Sequence, residues 1–290
     1  MASAKRKDKP NPAKRDGGSS WEQRPGRAAR ILTVVQVCLT AGMSVGAAIG
    51  LAYLDAQVHA APRFQQPPVI ELADVPAGLR DTMAAKLAPF ETTSHYDPDI
   101  CAKIGRALET DPWVRRVKSV CRLHDLRIVV ECAYRLPAAL VQLDSGFYLV
   151  DQERVRLPGV YGYQDALPLI QGVGSDPPPP GTVWTAPDLA AGMALARLIA
   201  SEPFARQVTG IQVHNYGGRR LPPDAHLVLT TDRAGCLIKW GSAPGEEVEE
   251  NSSRQKIAIL RHNFERFGRA DAGFHVIDIS VYPDRFTTAG

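Results

Sequence analysis

Ile31 to Leu54 runs for 24 residues without an Asp, Glu, Lys, Arg or His, and Gln36 is its only strongly polar side chain. As a helix rising about 1.5 Å per residue it reaches roughly 36 Å, more than the ~30 Å of a bilayer hydrocarbon core. Two other readings of such a run exist. A secretory signal has the same basic flank, and Val58-His59-Ala60 resembles a cleavage site, but its apolar region spans only about 7–15 residues. A buried core helix is rarely this long and this free of charge. The run therefore predicts an uncleaved transmembrane helix over residues 31–54.

Charge distribution orients it. Residues 1–30 carry nine basic and three acidic side chains, a net +6, while the other 260 residues hold 25 basic and 28 acidic groups, a net −3. The chain's overall +3 thus conceals a basic tail and a slightly acidic body. Arg24, Arg27 and Arg30 precede the apolar run, and Asp55, His59 and Arg63 follow it. The positive-inside bias keeps the tail cytoplasmic and sends residues 55–290 across the membrane. An acidic body also argues against a nucleic-acid partner. The tail, rich in Lys, Arg, Pro, Gly and Ser, lacks apolar periodicity and reads as disordered. The whole chain does not, since 44% of its residues are hydrophobic and 22% charged. Within the span Gly42, Gly46 and Gly50 recur every four residues, which sets three bare positions on one face for helix packing. Glycine is also simply common in membrane helices, and both readings stand.

After a proline-containing linker, 55–68, the body opens with a strand at Val69–Leu72. Leu79, Met83 and Leu87 step by four, a helix face ending near Pro89. Asp97-Pro98 announces a second helix with Ile100, Ile104 and Leu108 on one face, stopping at Asp111-Pro112. Strands follow at Val114–Leu123 and Leu126–Tyr134, about a two-residue His124-Asp125 turn. From Pro137 onward strands dominate: Ala139–Leu143, Phe147–Val150, Val155–Leu157, Val208–His214, His226–Thr231, Cys236–Trp240 and Phe274–Val281. Thr185 with Asp188 suggests a weak capping box for a helix bearing Leu189, Met193 and Ala196. Ile257, Leu260, Phe264 and Phe267 mark another helix. The expected class is α+β: a basic tail over 1–30, the membrane helix, a compact strand–helix–helix–strand–strand module over 69–136, and a mixed, β-rich domain over 137–290.

The chemistry-bearing motifs are missing. Gly159-Val160-Tyr161-Gly162 and Gly172-Val173-Gly174 lack the Lys or Ser/Thr of a phosphate loop, and neither G-x-S-x-G nor H-E-x-x-H occurs. The seven histidines are scattered singly. Glu246, Glu247, Glu249 and Glu250 lack the Asp/Asn-Gly pattern of a calcium loop and read as a solvated acidic loop. Outside the span, Cys101, Cys121, Cys132 and Cys236 match no zinc or redox spacing. A Cys121–Cys132 disulfide competes with buried free thiols. The two-residue turn pairs Cys121 with Ile128 and Val117 with Cys132, which favours the thiols. No metal, cofactor, small-molecule substrate or catalytic residue is assigned.

Certain short motifs recur in a telling order. They are Asp111-Pro112-Trp113-Val114-Arg115-Arg116-Val117, Leu126-Arg127-Ile128-Val129-Val130, Arg135-Leu136-Pro137-Ala138, Tyr148-Leu149-Val150-Asp151 and Leu167-Pro168-Leu169-Ile170-Gln171-Gly172. Ile238-Lys239-Trp240-Gly241, Lys256-Ile257 with Leu260, and Val276-Ile277-Asp278-Ile279 complete the series. With the tail and anchor, this order over about residues 25–290 resembles the FtsQ/DivIB family of bacterial cell-division proteins, whose first periplasmic module is a POTRA domain. The chain departs from the family pattern at His124-Asp125, Tyr134 and Arg154, and residues 242–251 look like an insertion. The resemblance implies a non-enzymatic inner-membrane scaffold that joins cytoplasmic and periplasmic division proteins and binds the membrane-anchored FtsB/FtsL pair. The implied mode is strand addition at the last strand, here Tyr282 to Thr288, with Tyr282, Arg285 and Phe286 as anchors; fraying of these terminal residues is the competing reading. The alternative function is a POTRA-type envelope adaptor in polypeptide transport or outer-membrane assembly.

Overall fold

A computed structural model describes residues 27–62 and 65–281, which fall into two units divided between Phe64 and Gln65. Residues 1–26, which hold most of the basic tail, lie outside the described residues.

The described residues of the first unit form the helix α1 (Arg27–Ala60), longer than the uncharged run at both ends. Its stretch Arg30–Gln57 is long and apolar enough to cross a membrane. Ile31, Leu39, Met43, Ile49 and Leu51 are exposed, as they are all along its surface. A helix apolar on every side has no stable face for water. Its few hydroxyls are satisfied locally: Thr40 Oγ1 donates to the Gln36 carbonyl at 3.0 Å and Ser44 Oγ to the Thr40 carbonyl at 2.8 Å. That is the bonding a hydrocarbon surrounding demands.

The second unit is mixed α and β and opens with β1 (Val69–Ala73), α2 (Arg80–Leu87), α3 (Ile100–Glu109), β2 (Val114–Arg122) and β3 (Arg127–Tyr134). The strands form a three-stranded sheet in the order β1-β3-β2, with β1 parallel to β3 and β2 antiparallel to it. The parallel pairing requires the chain to cross over, and α2 and α3 form that crossover. Their apolar stripes supply Met83, Leu87, Ile100, Ile104 and Leu108, which pack with Ile128 and Val130 of β3. Each such side chain contributes about 1.5–3 kcal/mol on burial. The expected Asp97 cap sits one turn early. Asp97 Oδ1 accepts the Asp99 N–H at 2.9 Å, so a turn precedes the helix, and Asp99 occupies the N-cap.

The β2–β3 connection differs from the two-residue turn. Leu123 N–H donates to the Arg127 carbonyl, which leaves a three-residue loop with Leu126 at φ +65°. The register slips by one, so Cys121 faces Val129. A bulge between Val117 and Ser119 then restores it, and Val117 faces Cys132 as expected.

The larger sheet has seven strands: β4 (Pro137–Leu143), β5 (Gly146–Asp151), β6 (Leu169–Gln171), β7 (Val208–Gln212), β8 (Leu227–Thr231), β9 (Leu237–Gly241) and β10 (Val276–Asp278), in the order β10-β9-β8-β7-β6-β4-β5. Cross-strand pairing lines up one residue from each of six strands: Val141, Ile170, Ile211, Leu229, Ile238 and Ile277. All six are at most 1% exposed. Because successive side chains alternate faces, the neighbouring row on the other face is Gln142, Gln171, Gln212, Val228, Lys239 and Asp278. The apolar row packs with α4 (Pro187–Ala200), through Leu189, Met193, Leu195 and Ile199, and with α5 (Ser253–Phe267), through Ile257 and Leu260. Gly192 permits the close approach of α4, since a Cβ there would meet Val213 Cγ1 at 3.1 Å and Ile170 Cγ2 at 3.2 Å.

Three local expectations fail. Val155–Leu157 is not a strand; its residues make only isolated bridges, Val150 with Arg156 and Val155 with Val183, against the sheet edge. No capping box forms at Thr185. Ala186 is the N-cap, and the Asp188 carboxylate turns away to accept Gly174 N–H at 2.7 Å and to pair with Arg219. Finally, the strand expected over Phe274–Val281 contracts to three residues, because Ser280 turns its N–H onto the Asp278 carboxylate.

Candidate interaction surface at the last sheet edge

Strand β10 ends the sheet order, with β9 on one side and no described strand on the other. Its pairing with β9 is parallel. The His275 carbonyl accepts Leu237 N–H at 2.7 Å, and Ile279 N–H donates to the Lys239 carbonyl at 3.1 Å. Odd-numbered residues therefore bond inward, and Val276, Asp278 and Ser280 turn their main-chain groups outward. Such an edge is where another chain adds a strand.

The main-chain groups at this end of the sheet do not all stand in the same condition. Asp278 Oδ1 accepts both the N–H and the hydroxyl of Ser280, at 2.9 and 2.6 Å. The Ser280 carbonyl accepts Asn251 N–H at 2.8 Å. The Asn251 side chain, 3% exposed as a residue, donates from Nδ2 to the carbonyls of Ile279 at 3.0 Å and Val281 at 3.2 Å.

Asn251 closes the acidic segment 242–251, an irregular loop in which Glu246 and Glu249 are exposed as expected, while Glu247 and Glu250 are half-buried and bonded within the fold. Glu246 accepts the Tyr216 hydroxyl at 3.1 Å. Glu247 accepts the N–H groups of Gly245 at 2.8 Å and Ser253 at 2.9 Å. Burial alone would raise the Glu247 carboxyl, but the Ser253 hydroxyl, together with these N–H groups, holds it below its ordinary range. Glu250 accepts Ser242 N–H at 3.0 Å and pairs with Lys256, whose side chain is fully buried, at 3.2 Å. That contact is an ion pair without hydrogen-bond alignment, and the ammonium also lies 5.2 Å from the Trp240 ring centre. Burial pushes the Lys256 amine below its ordinary value, partly opposed by Glu250. Ser252 and Gln255 form a reciprocal capping box that starts α5 here. Gly241 completes the packing at φ +95°: a Cβ would collide with Glu250 Oε2 and lie 2.7 Å from Ser280 Cβ.

Several concavities open elsewhere on the described residues, and two bear on the choice of site. A cleft of about 490 Å³ is lined by Gln142, Gln171, His214, Arg219 and Arg220. Its central guanidinium is already engaged: Arg219 donates to the His214 carbonyl, the Val213 carbonyl and Asp188, each at 2.7 Å, and also to the Gly172 carbonyl. Burial first, then Arg220 and Arg219, hold the His214 imidazole below its ordinary value. A groove of about 600 Å³ runs beside the C-terminal end of α4, lined by Tyr163, Leu167, Pro168, Ile199 and Arg206. Among the described residues, no three His, Cys, Asp or Glu side chains converge as a metal site.

Cys101, Cys121, Cys132 and Cys236 are all free thiols. Cys121 is exposed, while burial raises the thiol of Cys132 and pushes the neighbouring Tyr134 hydroxyl up to about 12. The buried Cys236 thiol lies 4.0 Å from His275 Nδ1.

Of the residues singled out from the sequence, Gly42, Gly46 and Gly50 share one face of α1, with open space where each Cβ would be. Tyr282, Arg285 and Phe286 lie outside the described residues, which end at Val281, at the outer edge of the sheet. Sequence reasoning missed Asn251, Glu250 and Lys256 as a unit. One signal was available, because Lys256, Leu260 and Asn263 fall on the buried stripe of α5. The β10 edge offers main-chain groups held beside a buried polar cluster. No protein-family model matches this chain, and no curated protein matches it either.

Proposed function

We propose that the protein is a non-enzymatic, single-pass membrane scaffold of the bacterial division machinery, of the FtsQ/DivIB type. Its N-terminus is cytoplasmic, its body periplasmic, and its partners are small membrane-anchored proteins of the FtsB/FtsL kind. In this reading residues 69–136 are a POTRA-like module and residues 137–290 the partner-binding domain. The observation that carries it is the order of parts. A membrane-length helix is followed by a strand–helix–helix–strand–strand unit with sheet order β1-β3-β2, then by a mixed sheet whose last strand, β10, has no described strand on its outer side. An edge strand binds through main-chain hydrogen bonds and needs no catalytic group.

A fluorescent fusion of the full chain tests the cellular role; it collects at the division site, and an even distribution over the envelope throughout the cell cycle would refute it. Truncation after Val281 tests the binding mode. It abolishes capture of the co-expressed FtsB/FtsL pair while leaving the thermal transition of the body in place.

A further inference from the structure

We infer that the acidic segment 242–251 is a clamp that holds residues 279–281 at the end of β10, with Asn251 as its jaw and the Glu250–Lys256 pair as its anchor. The inference rests on the strand-addition reading above and assigns positioning residues to that site. Three successive carbonyls, of Ile279, Ser280 and Val281, all accept from the one residue Asn251, at 3.0, 2.8 and 3.2 Å. No other described residue contacts the end of β10 with so many bonds. Asn251 is itself 3% exposed, so its amide is held by packing and cannot swing to water.

What holds Asn251 is its neighbour. Glu250 is tied back to Ser242 N–H, at the far end of the same segment, and to the buried Lys256 on the first turns of α5. The Ser252–Gln255 capping box fixes the helix start immediately after Asn251. The segment thus closes on itself and presents one donor group to the chain that leaves β10. Without the clamp, a three-residue parallel strand would be the sole tie of that chain to the sheet. Strands this short fray readily. Holding Ile279 to Val281 orders this end of the edge before a partner arrives, which reduces the ordering cost of binding.

The clamp also limits the edge. With the Ser280 carbonyl and N–H both engaged, a strand adding directly to β10 finds only Val276 and Asp278 open, too few for a stable pairing. Partner pairing is thereby directed to the chain beyond Val281.

The test uses the full chain in detergent with the co-expressed FtsB/FtsL pair. Asn251→Ala removes the side-chain bonds but keeps the main-chain one. We expect amide hydrogen exchange over residues 276–281 to speed by roughly tenfold, the equivalent of about one net hydrogen bond, with α4 unchanged. Capture of the pair weakens by a similar factor. Glu250→Gln, which weakens the anchor but keeps the jaw, gives a smaller change in the same direction. Unchanged exchange in Asn251→Ala overturns the clamp. Faster exchange with full capture overturns its role in binding. The chain truncated after Val281 separates the two ideas: if it loses capture while Asn251→Ala keeps it, the clamp fails and strand addition stands. If the truncated chain captures the pair fully, strand addition fails and the clamp loses its purpose with it.

Discussion

Substituting Asp151 should separate what a carboxylate does as a charge from what it does as an acceptor. Asp151 ends β5 and is 4% exposed. Its Oδ1 accepts the N–H groups of Glu153 and Val155, both at 2.8 Å, and its Oδ2 pairs with Arg135 at 2.6 Å. Arg135 is the residue immediately after β3, and its own N–H donates to the Trp113 carbonyl at 2.8 Å, so this cluster joins the small sheet to the large one. Asp151→Asn retains an acceptor for both N–H groups and loses the charge. Glu153, 3.0 Å from Arg135, still compensates the guanidinium, so the cost is about 1–2 kcal/mol. Asp151→Ala also orphans two N–H groups, at about 1–3 kcal/mol each when buried, for a total near 3–5 kcal/mol after partial relaxation. Urea unfolding of the detergent-solubilised chain, followed by tryptophan fluorescence, reads both values, because Trp113 packs in the small sheet's core and Trp184 and Trp240 in the large one's. The Ala variant should also split one transition into two as the sheets uncouple. Equal losses for Asn and Ala would refute the assignment of the N–H groups as the larger part, and an Ala loss under about 0.5 kcal/mol would refute the joint altogether.

Three further outcomes follow from the same geometry. Lys256→Met alone should cost about 3–5 kcal/mol, because the Glu250 carboxylate, only 11% exposed, loses its cation, while Lys256→Met with Glu250→Gln should recover most of it; chemical denaturation of the three proteins checks the non-additivity. Burial would raise the Asp271 carboxyl, but Arg269, Gly273 N–H and the Thr231 hydroxyl hold it below its ordinary value. Its contribution is therefore complete above the ordinary carboxylate range, about pH 4, and is lost as pH falls through the lower folded value, so Asp271→Asn should flatten the acid limb of the stability curve. A membrane-impermeant maleimide should label the exposed Cys121 in intact spheroplasts and reach Cys132 and Cys236 only after unfolding; labelling of Cys121 only after lysis would reverse the proposed topology.

Where stabilisation is local, the residues announce it. The four-residue steps of Leu79, Met83 and Leu87 and of Ile100, Ile104 and Leu108 specify α2 and α3 because one face of each must leave water, and all six side chains do. Alternation likewise marks β8, in which Leu227, Leu229 and Thr231 are buried, whereas β4 buries Ala139, Leu140 and Val141 in succession. β6 is different: three residues beside Pro168 carry too short a pattern, and only pairing on both sides makes them a strand. The hairpin loop eluded turn rules because Leu126 adopts a positive φ that those rules reserve for Gly, Asn or Asp. Thr185 and Asp188 had the right spacing for a capping box, yet Asp188 is drawn off by Arg219, 31 residues away. The candidate site was least legible of all. Its decisive contacts join Asn251 to residues 28 and 30 positions later, and no periodicity encodes such a distance.

These same contacts change the meaning of the body's net negative charge. Asp151, Asp188, Glu247, Glu250 and Asp271 each accept main-chain N–H groups, and all but Glu247 also hold an Arg or Lys. Such carboxylates act as fixed acceptors that shape turns, helix starts and strand ends. Each pair with an Arg or Lys sums to zero, so the net −3 is carried by the other acidic side chains of the body. At the β10 edge the consequence is specific. Asp278 spends one oxygen on Ser280, and Asn251 secures the carbonyls that follow. Recognition there, on the proposed reading, depends on main-chain direction and register, and therefore on the rigidity of the segment that sets them.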